Sequence, residues 1–271
     1  MALEGKTALI TGASQGIGFA IAEALVNAGA QVVLTARRED PLRAAVQRLG
    51  PSASWVSGDM AEPDTACRAV NHAVNQHGGL DLVVANAGIL IPGALVQQPM
   101  AEVDRVLMVN LRGTIALMSA AAPAMAGQAD AAAVVISSSI GRQAAAGMGI
   151  YGATKAALHY LVPTWAIELA PQGIRVNAVC AGITDTPGLR TGTEAIPGLC
   201  DAMIGTNLIK RIATAEEIAR PVLTLLDSAV SGFVTGSIWD VDGGYQRDRG
   251  SHRPAPETAV HELQGASHGR A

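Results

Sequence analysis

Tyr151 and Lys155 stand four residues apart in the stretch "ISSSIGRQAAAGMGIYGATK", and Ser137, Ser138 and Ser139 precede them. Four residues is about one helical turn, so a helix beginning near Tyr151 puts phenol and ammonium on one face. A free phenol titrates near pH 10, and a nearby ammonium favours its anion and lowers that value. A tyrosine tuned this way hands a proton to an oxygen that is gaining charge, or takes it back in reverse. The chain has only three tyrosines among its 271 residues, so the pairing is not a by-product of abundance. The serines lie at the end of an apolar run, where strand alternation turns Ser137 and Ser139 to the face opposite Ser138.

A second group of residues could hold a large anion. "TGASQGIG", Thr11 to Gly18, follows the first apolar run and leads into a helical pattern. Gly12 permits a turn that a Cβ would hinder, while Gly16 and Gly18 let the backbone approach a pyrophosphate. The helix N-terminus beyond them offers free N–H groups and partial positive charge. Ser14, Gln15 and Ile17 complete this loop. The spacing is GxxxGxG, not the GxGxxG of other dinucleotide folds.

The end of the second apolar run reads "VVLTARRED". An NAD site usually places an acid there for the ribose 2′-OH, whereas a 2′-phosphate needs a cation. Ala36 occupies the position, and Arg37 and Arg38 follow, so a planar guanidinium is available to clamp a phosphate. Glu39 and Asp40 come next and would neutralise the arginines in part. NADP(H) is therefore favoured over NAD(H), with an NAD-linked enzyme the open alternative.

The elements that must position these groups alternate. Residues 7–11, 31–36, 54–58, 80–86, 132–138, 174–180 and 236–244 read as strands, and 16–29, 40–49, 62–77, 98–126, 151–171 and 214–228 as helices. Continuous apolar strands alternating with helices predict a single-domain α/β, Rossmann-like doubly wound fold. About seven parallel strands would carry helices on both faces. Residues 1–244 form this expected domain, and 184–213 a long substrate or lid loop. The polar extension 245–271 reads by composition as a disordered terminus, with packing on a neighbour as the alternative.

Composition removes several classes of function. A formal net charge of −4 without a basic block argues against nucleic acid. Cys67, Cys180 and Cys200 have no CxxC spacing, so free thiols are expected, and no metal site. The N-terminus lacks a signal-peptide pattern, and "TIALMSAAAPAMAG" is too short and interrupted to span a bilayer. A soluble cytoplasmic protein is the expectation.

Taken together, TGxxxGxG, "ANAG" at 85–88, Asn110 in "VLMVNLRG", a strand-end serine and YxxxK resemble the classical short-chain dehydrogenase/reductase family over residues 5–244. The resemblance implies a catalytic tetrad of Asn110, Ser138, Tyr151 and Lys155. Ser138 is chosen because the family's serine usually lies thirteen residues before the tyrosine. Ser138 would hold a carbonyl oxygen near the phenol, Lys155 would also bind the nicotinamide ribose, and Asn110 would kink its helix and hold a water leading to Lys155. The resemblance also implies adenine contacts at Asp59 and Met60, a cofactor floor at Asn86, Ala87 and Gly88, and nicotinamide contacts at Ile183 and Thr186. It implies a small carbonyl or alcohol substrate and a homotetramer or homodimer. A non-catalytic cofactor-binding regulator on the same fold is the other class considered, and it would not need the whole tetrad. Two departures stand out. Ala181 replaces a usual proline, which should loosen that loop, and Pro163 should kink the helix near 159–163. Gln143 to Ile150, with Leu189, Ile196, Leu199 and Met203, would make a small apolar wall suited to an apolar or alicyclic compound.

Overall fold

The computed structural model describes residues 3–194, 201 and 204–245. Ile196, Leu199, Met203, Cys200 and residues 246–271 lie outside the described residues. Seven strands form one parallel sheet: β1 (Thr7–Thr11), β2 (Gln31–Ala36), β3 (Ala53–Ser57), β4 (Leu82–Ala85), β5 (Ala132–Ser138), β6 (Arg175–Ala181) and β7 (Ile238–Val241). Their order is β3-β2-β1-β4-β5-β6-β7. The chain runs outward from β1 in one direction, then returns to begin β4 on its other side. That reversal opens a crevice at the carboxyl ends of β1 and β4, where ligands bind in open α/β sheets.

Alternation along each strand feeds two cores. Ala8, Ile10, Val32, Leu34, Val84 and Val134 pack beneath α1 (Gly16–Asn27) and α2 (Glu39–Leu49). Leu9, Val33, Val83, Val135 and Val176 face α3 (Pro63–His77) and the helices that follow it. Every residue of β1, β4 and β5 is buried, as continuous apolar runs require when both faces of a sheet are covered.

The expected helix at 98–126 is α4 (Met100–Leu107), a π-type turn (Met108–Arg112) and α5 (Gly113–Met125) in succession. Taken end to end it is 26 residues long, enough by length and composition to cross a bilayer. This corrects the expectation of a span too short, because Pro123 lies within the helix. Leu117, Met118, Ala121 and Met125 are nevertheless buried against the sheet, as in a core helix.

Three further features have local causes. Pro163 does not interrupt α6 (Gly149–Leu169), although it leaves the carbonyl one turn earlier without a main-chain donor. Ala181 carries an N–H that proline lacks, and β6 extends through it, in register with Ser138 and Val241. The stretch expected as a loop at 184–213 contains α7 (Pro187–Glu194). It ends where Thr214 and Glu217 cap α8 (Ala215–Leu226) reciprocally and Arg211 grips Glu217 at 2.6 and 2.7 Å. A short α9 (Ser228–Ser231) precedes β7.

Candidate active site

At the crevice, β1 and β4 are stapled together by Thr11. Its Oγ1 accepts the N–H groups of Asn86 at 3.0 Å and Ala87 at 2.9 Å. Asn86 Nδ2 donates back to the carbonyls of Thr11 at 2.8 Å and Gly12 at 3.2 Å. The Asn86 side chain is thus committed to the loop, and only the main chain of Asn86, Ala87 and Gly88 is left to meet a ligand.

Gly12 sits at φ +66°, where a Cβ would be strained and only 2.9 Å from the Ala87 Cα. A Cβ at Gly18 would lie 2.5 Å from both Asn86 Nδ2 and the Gly12 carbonyl oxygen. Gln15 starts α1 without a side-chain cap, so the first-turn N–H groups are not taken by a side chain. Gln15 is exposed, and Ser14, Gly16 and Ile17 are half-buried. A glycine cradle that tolerates no Cβ, closed by a helix N-terminus lacking a side-chain cap, fits the pyrophosphate of a dinucleotide.

The far end of the crevice carries the arginines. Arg37 and Arg38 are exposed beyond Ala36, and no ion pair holds either among the described residues. Glu39 does not neutralise them, because Arg43 takes its carboxylate at 2.6 Å. Asp59 accepts the Ala61 N–H at 2.9 Å and pairs with Arg105 at 2.5 Å. Burial alone would push its carboxyl up, but Arg105, the Ala61 N–H and the charge of Arg37 hold it below the usual value. Met60 is buried in the core beside Asp59, with its main-chain carbonyl packed against Gly113.

At the near end, Ser138 closes β5 and its hydroxyl is placed to favour the Tyr151 phenolate. Ser138 Oγ also accepts the Ile140 N–H at 3.3 Å. Lys155 is buried, donates to the Ile136 carbonyl at 3.0 Å and lies 5.8 Å from the Tyr151 ring centroid. Burial pushes the Lys155 ammonium down to about 8. Burial also pushes the Tyr151 phenol above its ordinary value, with the Ser138 hydroxyl pulling the other way. This corrects the expectation that the ammonium lowers the phenol. In the free protein desolvation of the phenolate is the larger effect, and Ser138 provides the opposing pull.

Asn110 lies in the middle of the π-type turn and is fully buried. Its Oδ1 accepts the Ile89 N–H and its Nδ2 donates to the Ile89 carbonyl, both at 2.8 Å. A Cβ at Gly88 would stand 3.5 Å from both Asn110 Oδ1 and Lys155 Nζ, so the three residues meet around one point. Such turns recur at functional positions because the extra residue breaks the regular helical bonding.

The segment after β6 closes the crevice. Ile183 and Ala213 are joined by a main-chain bond of 3.0 Å. Thr186 Oγ1 accepts the Leu189 N–H at 3.2 Å at the start of α7. The Thr186 methyl is 3.1 Å from where a Gly16 Cβ would be, so Thr186 lies directly against the glycine loop. Opposite, the Gly93 N–H donates to the Gly147 carbonyl at 2.8 Å, joining the loop after β4 to the wall Gln143–Ile150. Among the described residues no group of three or more histidine, cysteine or acidic side chains could hold a metal ion.

A family model described as enoyl-(acyl carrier protein) reductase matches residues 12–246. The chain is 36% identical over 250 residues to cis-4-hydroxycyclohexanecarboxylate dehydrogenase of Sinomonas cyclohexanicum, covering 89% of this chain and 96% of the relative. It is 36% identical over 247 residues to L-rhamnose 1-dehydrogenase (NAD(P)(+)) of a Sphingomonas species, covering 89% and 96%. The crystal structure of a short chain dehydrogenase from Burkholderia cenocepacia in complex with NADP superposes with a TM-score of 0.83. It shares 33% identity with the chain and covers 90% of it and 99% of that structure. The chain belongs to the short-chain dehydrogenase/reductase family. It is an oxidoreductase of a family that binds nicotinamide cofactors and acts on CH–OH donors.

The short-chain dehydrogenase/reductase fold also relies here on residues that spacing did not single out. Thr11 carries the staple between β1 and β4. Thr154 donates to the Tyr151 carbonyl at 2.7 Å and lies 3.4 Å from Asn110 Nδ2, linking two candidate residues. Its position inside YxxxK was the available signal. Arg105 meets Asp59 across 46 residues of sequence, and no local pattern points to it.

Proposed function

We propose that the chain is an NADP(H)-dependent oxidoreductase that interconverts a ketone and a secondary alcohol, with Tyr151 as general acid and base. The observation that carries this reading is the meeting of Ser138, Tyr151, Lys155 and Asn110 at the mouth of a glycine-cradled crevice. When bound, the cofactor supplies or accepts the hydride. Gly12, Ser14, Gln15, Gly16, Ile17 and Gly18 would hold its pyrophosphate, Arg37 and Arg38 its 2′-phosphate, and Asp59 with the Met60 main chain its adenine. Residues 86–88, Ile183, Thr186 and Lys155 would hold the nicotinamide riboside.

In the reductive direction Ser138 holds the carbonyl oxygen and the neutral Tyr151 phenol gives it a proton. Lys155 stands by the phenolate so formed, and Asn110 with Lys155 returns the proton from solvent. NADP(H) is supported by Ala36 where an NAD site has an acid, by two arginines without ion pairs, and by the NADP held in the Burkholderia structure. The wall Gln143–Ile150 is built mostly of alanine, glycine and apolar residues, which suits an apolar or alicyclic carbonyl compound, and one relative acts on a hydroxycyclohexane carboxylate.

The chain works as a homotetramer or homodimer. Met100, Leu107, Met108 and Ile115 leave an exposed apolar stripe along α4 and α5, and Tyr160 and Ile167 are 77% exposed on α6. Cys67 and Cys180 are free thiols, in keeping with a reducing cytoplasm. Turnover of cyclic ketones and secondary alcohols, followed by absorbance of the reduced nicotinamide with each cofactor, tests the whole reading. Turnover with NADPH supports it, and its absence across the panel with both cofactors overturns it.

A further inference from the structure

Ser137 lies one residue before Ser138 on β5 and points to the opposite face, toward α6. Its Oγ lies 2.7 Å from His159 Nε2 and donates to the main-chain carbonyl of Lys155 at 3.3 Å. With its proton on that carbonyl, the hydroxyl accepts from His159 Nε2–H, so a single oxygen ties strand to helix twice. Ser137 is only 3% exposed, while His159 is half-buried beside it.

The surroundings reinforce the tie. Ser137, Cys180 and Asp240 are register partners on adjacent strands and form a polar row beneath α6. Arg142 pairs with Asp240 at 3.0 Å over this row. Gly141 approaches α6 so closely that a Cβ would lie 2.7 Å from the Lys155 carbonyl carbon. Pro163 has no N–H to offer the His159 carbonyl, so α6 lacks one main-chain bond at the turn the side chain anchors. Burial and the charges of Arg142 and Lys155 push the imidazole down to about 4 against the pull of Asp240, which keeps it neutral at ordinary assay pH.

We infer that Ser137 and His159 are positioning residues, a strut that sets α6 against β5 and so holds Tyr151 and Lys155 in place relative to Ser138. This inference rests on the reading of the active site given above. The strut spans the same two elements as the hydroxyl pair, one residue from Ser138 and one helical turn from Lys155. Hydrogen-bond geometry between two hydroxyls changes within a fraction of an ångström, so a shift of α6 too small to unfold the protein would still move the Tyr151 hydroxyl relative to Ser138.

The test compares Ser137→Ala, His159→Ala, the double variant and His159→Gln in the full chain. The single variants are expected to lower kcat roughly ten- to hundredfold, with much smaller changes in KM and cofactor Kd. The double variant should be no slower than the slower single one, because both remove one strut. His159→Gln, which keeps an amide donor in place, should recover most of the rate. Ultraviolet titration of the phenols in cofactor-free protein, with Tyr151→Phe as the subtraction, should show Tyr151 titrating higher in the alanine variants as the phenol moves away from the Ser138 hydroxyl.

Unchanged kcat in the single variants, multiplied losses in the double variant, or an unmoved Tyr151 titration would each overturn the strut. Melting by circular dichroism separates these outcomes from unfolding, and Ser137→Ala, which removes one oxygen, carries the test if His159→Ala does not fold. The phenol titration needs no turnover, so it decides the strut even if the proposed reaction proves wrong.

Discussion

Arg43 holds the carboxylate of Glu39 at 2.6 Å, one turn along α2, so the acid two residues after Arg37 is already engaged. Arg37 then presents its guanidinium without an ion pair among the described residues, with Asp59 acting on it only at longer range. Arg37→Asp should raise the Kd for NADPH by roughly tenfold or more, from a lost fork and a new repulsion, while NADH binding changes little. Fluorescence titration with both cofactors reads this directly. Equal weakening of the two would remove Arg37 from the 2′-phosphate site.

Gly18 marks the tightest point of the cradle, because a Cβ there meets a main-chain oxygen and the Asn86 amide at 2.5 Å. Gly18→Ala should cost about 1–3 kcal/mol of stability and weaken both cofactors alike, since it displaces α1 from Asn86 rather than touching the 2′ position. Denaturant melts together with the same titrations check it. A normal melt with normal binding would show that the loop has slack the geometry does not suggest.

Lys155 makes stability depend on pH in an unusual direction. Its ammonium is pushed down to about 8 in the folded chain from an ordinary 10.5, so between those values the unfolded chain binds the extra proton. The charged side chain costs the fold about 3 kcal/mol below pH 8, and that cost fades as pH rises toward 10.5. The stability of the native protein minus that of Lys155→Met should therefore increase over this window. A flat or falling difference in urea midpoints would contradict the burial of a charged lysine.

The apolar stripe on α4, α5 and α6 predicts its own test. Ile115→Glu with Ile167→Glu should reduce the particle mass seen by light scattering and leave the secondary structure intact. A native protein that is already monomeric would remove the proposed assembly.

Much of this architecture is legible in the sequence because its signals are local. The strands of a parallel sheet are continuous apolar runs, and those at 7–11, 31–36 and 132–138 have the boundaries their apolar residues suggest. Tyr151 with Lys155 is a one-turn spacing, and Ser138 is reached by a second fixed interval. What spacing misses is long-range or set by burial. The Asp59–Arg105 pair joins residues whose neighbours in sequence say nothing of each other. The raised Tyr151 phenol reflects desolvation, which depends on what the finished fold places around the ring. Helix α7 was hidden because Pro187 and Gly188 read as loop, although proline suits the first position of a helix.

The central claim is that Tyr151 moves the proton. Tyr151→Phe removes one oxygen and leaves the ring to pack, so the account predicts that turnover is abolished while NADPH binds as in the native protein. The decisive measurement is kcat beside the cofactor Kd on the same preparation. Turnover near the native rate in Tyr151→Phe would contradict the assignment.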